Sequence, residues 1–332
     1  MKLERHSHNP ILAPNPAQAW ESGAVFNCGA VVGEDGLTYL LYRAIAKGYS
    51  RSSSGGGYDD YVSSVGCATS EDGIHFVRGE RPVLEPTDEC DRFGCEDPRV
   101  TRLEIQGRVR YLITYTALSA PAFSGLGDRV GLASTEDLRT FRKHGVVIPA
   151  QKDKDAVILP ELVGGRIVML HRVEPNIQVV YFDDWEQLVE PDQDRWSRYS
   201  ASIEEHTIMR PEYEWEANKI GAGPPPIKTN AGWLLIYHGV DANYVYRAGA
   251  ALLDLEDPSR IIARSPQPIL EPEKEYERIG DVPNVVFPVG AVVQGGTLYV
   301  YYGGADKCCC LATAPVDELT QHLLESPRPA AA

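Results

Sequence analysis

The sequence is short of long apolar runs and of positive charge. No stretch approaches the roughly 18–20 apolar residues that a helix needs to cross a bilayer, and the N-terminal segment MKLERHSHNPIL has neither the apolar region nor the cleavage site of a secretory signal. Among the 332 residues, 47 are acidic and 32 are basic, which gives a formal net charge of −15. Because an acidic surface repels nucleic acid and anionic lipid, we expect neither a nucleic-acid partner nor a membrane association.

Several motifs of common enzymes and metal sites are absent. The sequence has no G-x-x-x-x-G-K-[ST] loop, no G-x-G-x-x-G between a strand and a helix, and no G-x-S-x-G elbow of a serine hydrolase. It also lacks H-E-x-x-H and repeated C-x-x-C pairs. The three adjacent thiols at 308–310 would point to opposite faces of a strand, so they cannot hold one ion together. We therefore predict no metal site.

The cysteines show no sign of a disulfide framework. Their number is seven, an odd count, and they stand without regular spacing at 28, 67, 90, 95 and 308–310. Reduced thiols are typical of the cytoplasm. The sequence therefore predicts a cytoplasmic protein with free, partly buried thiols.

Short strands with alternating apolar residues recur along the chain and end in an aromatic residue or a histidine. The equivalent positions lie 56 to 73 residues apart and are Tyr42, Tyr115, His171, His238 and Tyr302. Five units of about four strands each predict an all-β fold, a five-bladed β-propeller with short peripheral helices. A β-sandwich with long loops is the alternative.

The segments between these strands complete the prediction of the fold. Short helices are expected over 315–325 and in part of 201–212, and the glycine-rich stretch 52–57 is predicted to be a mobile loop. The tail after Ser326 is expected to fray. Since no internal linker separates two halves, we predict that residues 1–332 form a single domain.

Polar residues of unusual type cluster at the ends of the predicted strands. Glu96 and Asp97 directly precede Pro98, which holds Asp97 extended. The first strand ends in Arg43, and further basic residues stand at Lys154, Arg172, Lys219 and His238. Each of these alone is most simply a structural residue. A propeller would gather them in one funnel, where guanidinium and ammonium groups suit phosphate or carboxylate.

A series of phrases resembles glycoside hydrolase family 130. They run in the family's order from about residue 8 to 314 and include NPIL (9–12), AVFN (24–27), LLYRA (40–44), EDPRVT (96–101), LHR (170–172), KIGAGPPPIKT (219–229) and YYGGAD (301–306). The resemblance implies a five-bladed β-propeller. It also implies an inverting phosphorylase that cleaves β-mannosides with inorganic phosphate, giving α-mannose 1-phosphate and a shortened sugar.

The resemblance also implies roles for individual residues. Asp97 matches the proton donor of the family, which passes its proton through the 3-hydroxyl of the bound mannose. The positions that hold the sugar correspond to Asn27, Arg43, Asp97 and Asp306, and those that hold phosphate correspond to Lys154, Arg172, Lys219, His238 and Tyr244. Inorganic phosphate is then a co-substrate, and no metal or organic cofactor is expected.

The chemistry of the singled-out residues favours phosphorolysis over hydrolysis. An inverting hydrolase needs an acid for the leaving oxygen and a base for water, whereas phosphate is already an anionic nucleophile that has to be positioned by cations. One aspartate with a ring of cations fits the second case. A β-mannosidase on the same fold is the alternative function, and a non-catalytic sugar-binding propeller is a third hypothesis.

The sequence leaves the substrate's details open. The resemblance allows β-1,2 or β-1,4 linkages, with a lean toward mannooligosaccharides or β-1,2-mannobiose over mannosylglucose. Departures from the family's pattern at Cys28, Gly29 and the loop 48–61 bear on the acceptor sugar, and this loop is expected near the sugar-binding end. Relatives often self-associate, so a homo-oligomer is one expectation, without a fixed number of subunits.

Overall fold

Short antiparallel sheets follow one another along the chain. The computed structural model describes residues 1–52 and 57–326. After β1 (Glu4–Arg5), the first sheet contains β2 (Ala24–Val32), β3 (Thr38–Ile45), β6 (Ser63–Ser70) and β7 (Val77–Arg78), with the hairpin β4 (Ser50–Arg51) and β5 (Tyr58–Asp59) inserted between β3 and β6. The second contains β8 (Gly94–Ile105), β9 (Arg108–Leu118), β10 (Asp128–Thr135) and β11 (Arg142–Ile148), and a single parallel pairing of Ser63 with Gly94 joins it to the first.

The remaining sheets repeat this order. The third contains β12 (Lys154–Ile158), β13 (Ile167–Arg172), β14 (Ile177–Phe182) and β15 (Thr207–Met209). The fourth contains β16 (Lys219–Ala222), β17 (Ile227–Thr229), β18 (Gly232–Val240), β19 (Tyr246–Leu253) and β20 (Ile261–Arg264). The fifth contains β21 (Val286–Gln294), β22 (Thr297–Gly304) and β23 (Cys308–Pro315), and β1 pairs with β23 as its fourth strand.

The sheets are arranged as blades around an axis. The first strand of each blade lies innermost: β2 contacts β8, β8 contacts β12, β12 contacts β16, and β21 contacts both β18 of the fourth blade and β2 of the first. This ring is a five-bladed β-propeller, so the predicted fold is confirmed and the β-sandwich alternative is wrong. The single domain expected over residues 1–332 stays a prediction.

The hydrophobic core is divided among the spaces between neighbouring blades. Because successive side chains of a strand point to opposite faces, β18 sends Leu234 and Ile236 toward the fifth blade and Trp233 and Leu235 toward the third. The same alternation fills the other three spaces. Because β18 is covered on both faces, its apolar residues form a continuous run and not the alternation that a single buried face would give.

The helices lie outside the blades, and not all of them were predicted. The helix predicted over 315–325 is confirmed as α4 (Val316–Glu325), after α1 (Trp185–Val189), α2 (Gln193–Ala201) and α3 (Glu275–Arg278). The short helix expected in part of 201–212 is present as the 3₁₀ helix Ile203–His206, which β15 follows. Sequence reasoning missed α2, which begins after Asp192, since the Asp192 side chain caps it by accepting the Arg195 N–H at 2.6 Å.

The cysteines of the described residues are free thiols. Cys308 and Cys310 lie on one face of β23 with their Sγ atoms 3.7 Å apart, and Cys309 lies on the other face against the Val25 carbonyl. All three are buried, which confirms the prediction of buried thiols there. The predicted loop 52–57 falls mainly on residues 53–56, outside the described residues, as does the predicted frayed tail. Within 1–52 and 57–326, no helix is both long and apolar enough to span a membrane.

An ion pair joins the N-terminal strand to the last blade. Arg5 Nε lies 2.7 Å from Glu277 Oε1, Arg5 Nη2 lies 3.0 Å from Oε2, and the Tyr302 hydroxyl donates to the same carboxylate at 2.8 Å. The Glu277 side chain is fully buried. The closure of the fifth blade by β1 therefore rests on a carboxylate that Arg5 neutralises.

We expect Arg5→Ala to lower the stability of the fold by about 2–4 kcal/mol, because it leaves the buried Glu277 carboxylate without its cation. Thermal unfolding of this variant should be compared with that of Arg108→Ala, which removes an exposed arginine at the start of β9. Equal melting temperatures for the two variants would contradict the closing role of the ion pair.

Candidate active site

Three inner strands carry the same irregularity at the same height. The register shifts between Phe26 and Gly29 in β2, between Glu96 and Arg99 in β8, and between Lys154 and Val157 in β12. At each shift one polar residue has a positive φ: 49° at Asn27, 51° at Asp97 and 54° at Asp155. The extended conformation expected of Asp97 before Pro98 is therefore wrong. Non-glycine residues adopt such angles rarely, and bulges of this kind re-aim side chains beside active sites. The three bulges bring these side chains to the central axis.

The axis opens into a cavity of about 520 Å³. All the predicted site residues except His238 line it: Asn27, Arg43, Asp97, Lys154, Arg172, Lys219, Tyr244 and Asp306. Arg51, Gly57 and Tyr58 line it as well, so the described parts of the loop 48–61 lie beside this cavity. The convergence expected of strand ends in a propeller is therefore present.

Asp97 is held by two donors. Its Oδ1 accepts hydrogen bonds from Asn27 Nδ2 at 2.8 Å and from Arg43 Nη1 at 3.3 Å. Arg43 also pairs with Glu96 and lies over the ring of Phe26, 4.7 Å from its centroid. Both donors contact Oδ1, so Oδ2 is the oxygen of Asp97 that neither of them occupies. Its carboxyl is thus oriented by the two residues predicted to bind sugar.

Asp155 is the centre of a buried charge network that Arg99 connects to Asp97, since Arg99 also donates to the Asp97 carbonyl oxygen at 3.2 Å. Its Oδ1 lies 2.6 Å from Arg99 Nη2 and its Oδ2 lies 2.7 Å from Arg172 Nη1. Burial alone would raise the pKa of Asp155, but the adjacent guanidinium groups of Arg172 and Arg99 outweigh it and hold the pKa well below its usual range. Asp155 therefore stays ionised and fixes the direction of Arg172.

His238 lies behind Arg172 and does not line the cavity. Its side chain is fully buried, and its Nε2 is 3.1 Å from Arg172 Nη1 and 3.6 Å from Asp155 Oδ2. Burial lowers the pKa of His238 to about 3, with Asp155 opposing this effect and Arg172 reinforcing it. At neutral pH the imidazole is uncharged, so Nε2 accepts the Arg172 hydrogen bond and His238 adds no positive charge to the site.

Gly221 of the fourth blade lies where this network leaves no space for a side chain. A Cβ on Gly221 would lie 2.5 Å from both Asp155 Oδ2 and His238 Cε1. The glycine in the KIGAG phrase is therefore required by the close approach of two buried side chains.

The remaining predicted cations are each paired with a carboxylate. Lys154 Nζ lies 3.7 Å from Glu96 Oε2 and 3.5 Å from Asp128 Oδ2, and Lys219 Nζ lies 2.8 Å from Glu174 Oε1. The expectation of one aspartate facing a ring of cations was too simple. Cations gathered in a low-dielectric cavity repel one another, and the structure offsets this with carboxylates placed among them.

Tyr244 and Asp306 both line the cavity and differ in their environments. Tyr244 (φ 60°) occupies the turn between β18 and β19, at the rim, and its residue exposure is 64%. Asp306 (φ 51°) follows β22, and burial raises its pKa to about 7, with Arg43 opposing this effect and Asp97, Glu96 and Asp281 adding to it. Asp306 thus changes its charge near neutral pH.

Sequence reasoning missed the residues that hold the site residues in place. Asp155 and Arg99 were not identified as site residues, nor were Asp128 and Glu174. A signal for Asp155 was present, because KDAV in the third repeat stands where EDPR stands in the second. Glu174 follows the end of β13 with no comparable repeat and gave no such signal.

Known proteins match this chain over nearly its whole length. A family model described as β-1,4-mannooligosaccharide phosphorylase matches residues 2–325. Two curated relatives from Thermoanaerobacter sp. strain X514 are similar: a 1,2-β-oligomannan phosphorylase is 40% identical and covers 96% of this chain and 99% of its own, and a β-1,2-mannobiose phosphorylase is 43% identical and covers 92% and 94%. The solved β-1,2-mannobiose phosphorylase of Listeria innocua, in complex with β-1,2-mannobiose, superposes with a TM-score of 0.79 at 28% identity over 97% of this chain and 99% of that one.

Asp306 generates a prediction on pH and stability. Between its usual pKa of about 4 and its folded pKa of about 7, the unfolded chain is ionised at this residue while the folded chain is protonated, so this group makes the fold less stable as pH rises. We expect Asp306→Asn to match the parent protein at pH 4 and to melt roughly 2–4 °C higher at pH 8. A difference in melting temperature that does not change with pH would contradict the raised pKa.

Proposed function

Since the chain belongs to glycoside hydrolase family 130, we propose that it is an inverting β-mannoside phosphorylase acting on β-1,2-linked mannosides. The predicted family and the predicted phosphorylase activity on β-mannosides are confirmed by the family match and by the names of the relatives. The proposal adds the stereochemistry, the linkage and the roles of single residues. The observation that carries it is one cavity that holds Asp97 together with Arg172 and Lys219.

The proposed reaction uses the two sides of the cavity differently. An oxygen of inorganic phosphate forms a bond to C1 of the terminal mannosyl residue while the C1–oxygen bond to the leaving sugar breaks on the opposite face. The leaving oxygen takes up the proton of Asp97, by way of the mannose 3-hydroxyl as the family resemblance implies. Asn27, Arg43 and Asp306 hold the sugar on this side.

Phosphate requires cations that are already in position. Arg172 and Lys219 line the cavity and present a guanidinium and an ammonium group to it, and Lys154 stands between them and Glu96. Such groups stabilise the charge of a bound dianion by electrostatic attraction. We propose these three as phosphate ligands, with Tyr244 at the rim. The predicted phosphate contact of His238 stays a prediction, and its burial favours an indirect role in which it orients Arg172.

A hydrolase on this fold would need a free carboxylate to activate water. On the side of the cavity lined by Arg172, Lys219 and Lys154 (the cation side), Asp155 is paired with Arg99 and Arg172, and Asp128 is paired with Lys154. This pairing favours phosphate over water as the nucleophile. The third hypothesis, a non-catalytic propeller, gives no reason for Asp97, Arg172 and Lys219 to share one cavity.

The linkage is proposed from the relatives. The family description names β-1,4-mannooligosaccharides, whereas the two relatives at 40% and 43% identity are both named for β-1,2-linked substrates. Because these two relatives match 92% or more of this chain, their names support β-1,2 linkages here. We further propose that the enzyme needs no cofactor besides phosphate and acts in the cytoplasm, where its free thiols stay reduced.

Phosphate dependence tests this function directly. The purified protein should be incubated with β-1,2-mannobiose or β-1,4-mannobiose, each with and without inorganic phosphate. We expect mannose 1-phosphate from the β-1,2 substrate, only when phosphate is present. Free mannose released equally fast without phosphate would identify a hydrolase, and preferential cleavage of the β-1,4 substrate would overturn the proposed linkage.

Two substitutions should separate the roles of the two sides of the cavity. Asp97→Asn removes the proton donor and should lower kcat by about 10²–10⁴-fold in both directions of the reaction. Arg172→Ala should mainly raise the KM for phosphate, because it removes a phosphate-facing cation. Arg108→Ala serves as the control. Equal losses in kcat from both site variants, together with a lower melting temperature for Arg172→Ala, would assign Arg172 to the fold instead.

A further inference from the structure

The Glu174 carboxylate lies where a bound anion would contact Arg172 and Lys219. It follows the end of β13 by two residues and lines the same cavity as Arg172 and Lys219. A single oxygen, Oε1, lies 2.8 Å from Lys219 Nζ and 3.3 Å from Arg172 Nη2. One oxygen bridging an ammonium and a guanidinium is also the arrangement in which these groups would bind a phosphate oxygen.

The two carboxylates that pair with Arg172 differ in their freedom to move. Asp155 is buried, fixed by Arg99 and bound to Nη1, so it cannot leave the guanidinium. The Glu174 side chain is 42% exposed and uses Nη2. Half-exposed ion pairs are weak because water and salt screen them. Glu174 is therefore the displaceable one of the two.

There is room for Glu174 to move. A second cavity of about 190 Å³ lies beside it and is lined by Lys152, Lys154 and Arg172 among others. Lys152 also contributes to lowering the pKa of Glu174, although less than Arg172 and Lys219 do, and burial opposes the shift. A carboxylate that left Arg172 and Lys219 would thus find another cation and solvent nearby.

We propose that Glu174 is a specificity-determining residue that competes with phosphate for Arg172 and Lys219. In the free enzyme its carboxylate neutralises the two cations, and phosphate binds by displacing it. The residue thereby weakens phosphate binding and favours ligands with enough charge to replace a carboxylate. This inference rests on the proposed function, since it assigns the phosphate site to these two cations.

The test is the conservative substitution Glu174→Gln, which keeps the shape of the side chain and removes its charge. We expect the KM for inorganic phosphate to fall by about two- to fivefold. The KM for the mannoside, measured at saturating phosphate, should change by less than about twofold, because Glu174 contacts Arg172 and Lys219, whereas Asn27 and Arg43 contact Asp97.

A matched control is available on the same pair of blades. Glu161 also pairs with a lysine of the fourth blade, Lys228, its side chain is 50% exposed, and it does not line the cavity. Glu161→Gln should leave the KM for phosphate unchanged. A fall of the same size in both variants would show a general charge effect and overturn the proposal.

Direct binding separates this inference from the proposed function. Titration of both proteins with inorganic phosphate in a calorimeter, without sugar, should show tighter binding by Glu174→Gln. An unchanged or weaker affinity would mean that Glu174 positions Lys219 for phosphate, and would overturn the competition. If mannoside cleavage proves independent of phosphate in the parent protein, the proposed function fails, whereas tighter phosphate binding by the variant would still support competition at this site.

Discussion

The site depends on the pairing of charges that the propeller removes from water. An unpaired ion in a protein interior is strongly destabilising, and the axis of this fold contains several charged groups. Asp155 lies between Arg99 and Arg172 and pairs with both guanidinium groups. Glu96 pairs in the same way with Arg43 and Lys154. The cations of the cavity are therefore already neutralised by carboxylates. A phosphate ion that binds there exchanges with one of these carboxylates, as proposed for Glu174.

The repeat architecture explains why the chemistry is asymmetric. The same bulge in β2, β8 and β12 presents Asn27, Asp97 and Asp155 to one axis, while the fourth blade contributes Gly221 at the corresponding approach. The scaffold supplies equivalent positions, and the residue at each position decides what happens there. The Asn27 amide orients the Asp97 carboxyl, the Asp155 carboxylate directs Arg172, and Gly221 leaves space for Asp155 and His238. In the proposed reaction Asp97 serves the leaving oxygen, and Arg172 serves phosphate.

The sequence predicts much of the fold because its strands are short apolar runs that end at recurring aromatic or histidine positions and are separated by turn residues. It does not predict α2, because only Trp196 and Tyr199 of that helix are buried and its apolar pattern is therefore weak. It brings Asp97, Arg172 and Lys219 together correctly, since strand ends of a propeller converge. It does not predict that His238 lies behind Arg172, or that Glu174 bridges two cations, because side-chain depth and pairing depend on contacts between blades that no local pattern records.

The central claim is that phosphate attacks from the cation side while Asp97 serves the leaving oxygen on the other. The anomeric configuration of the first sugar phosphate formed tests this claim most directly, and NMR of the reaction mixture at early times measures it. Attack opposite to the leaving group of a β-mannoside predicts α-mannose 1-phosphate. Formation of the β anomer would require two successive displacements through a covalent intermediate, and would contradict the division of labour across the cavity.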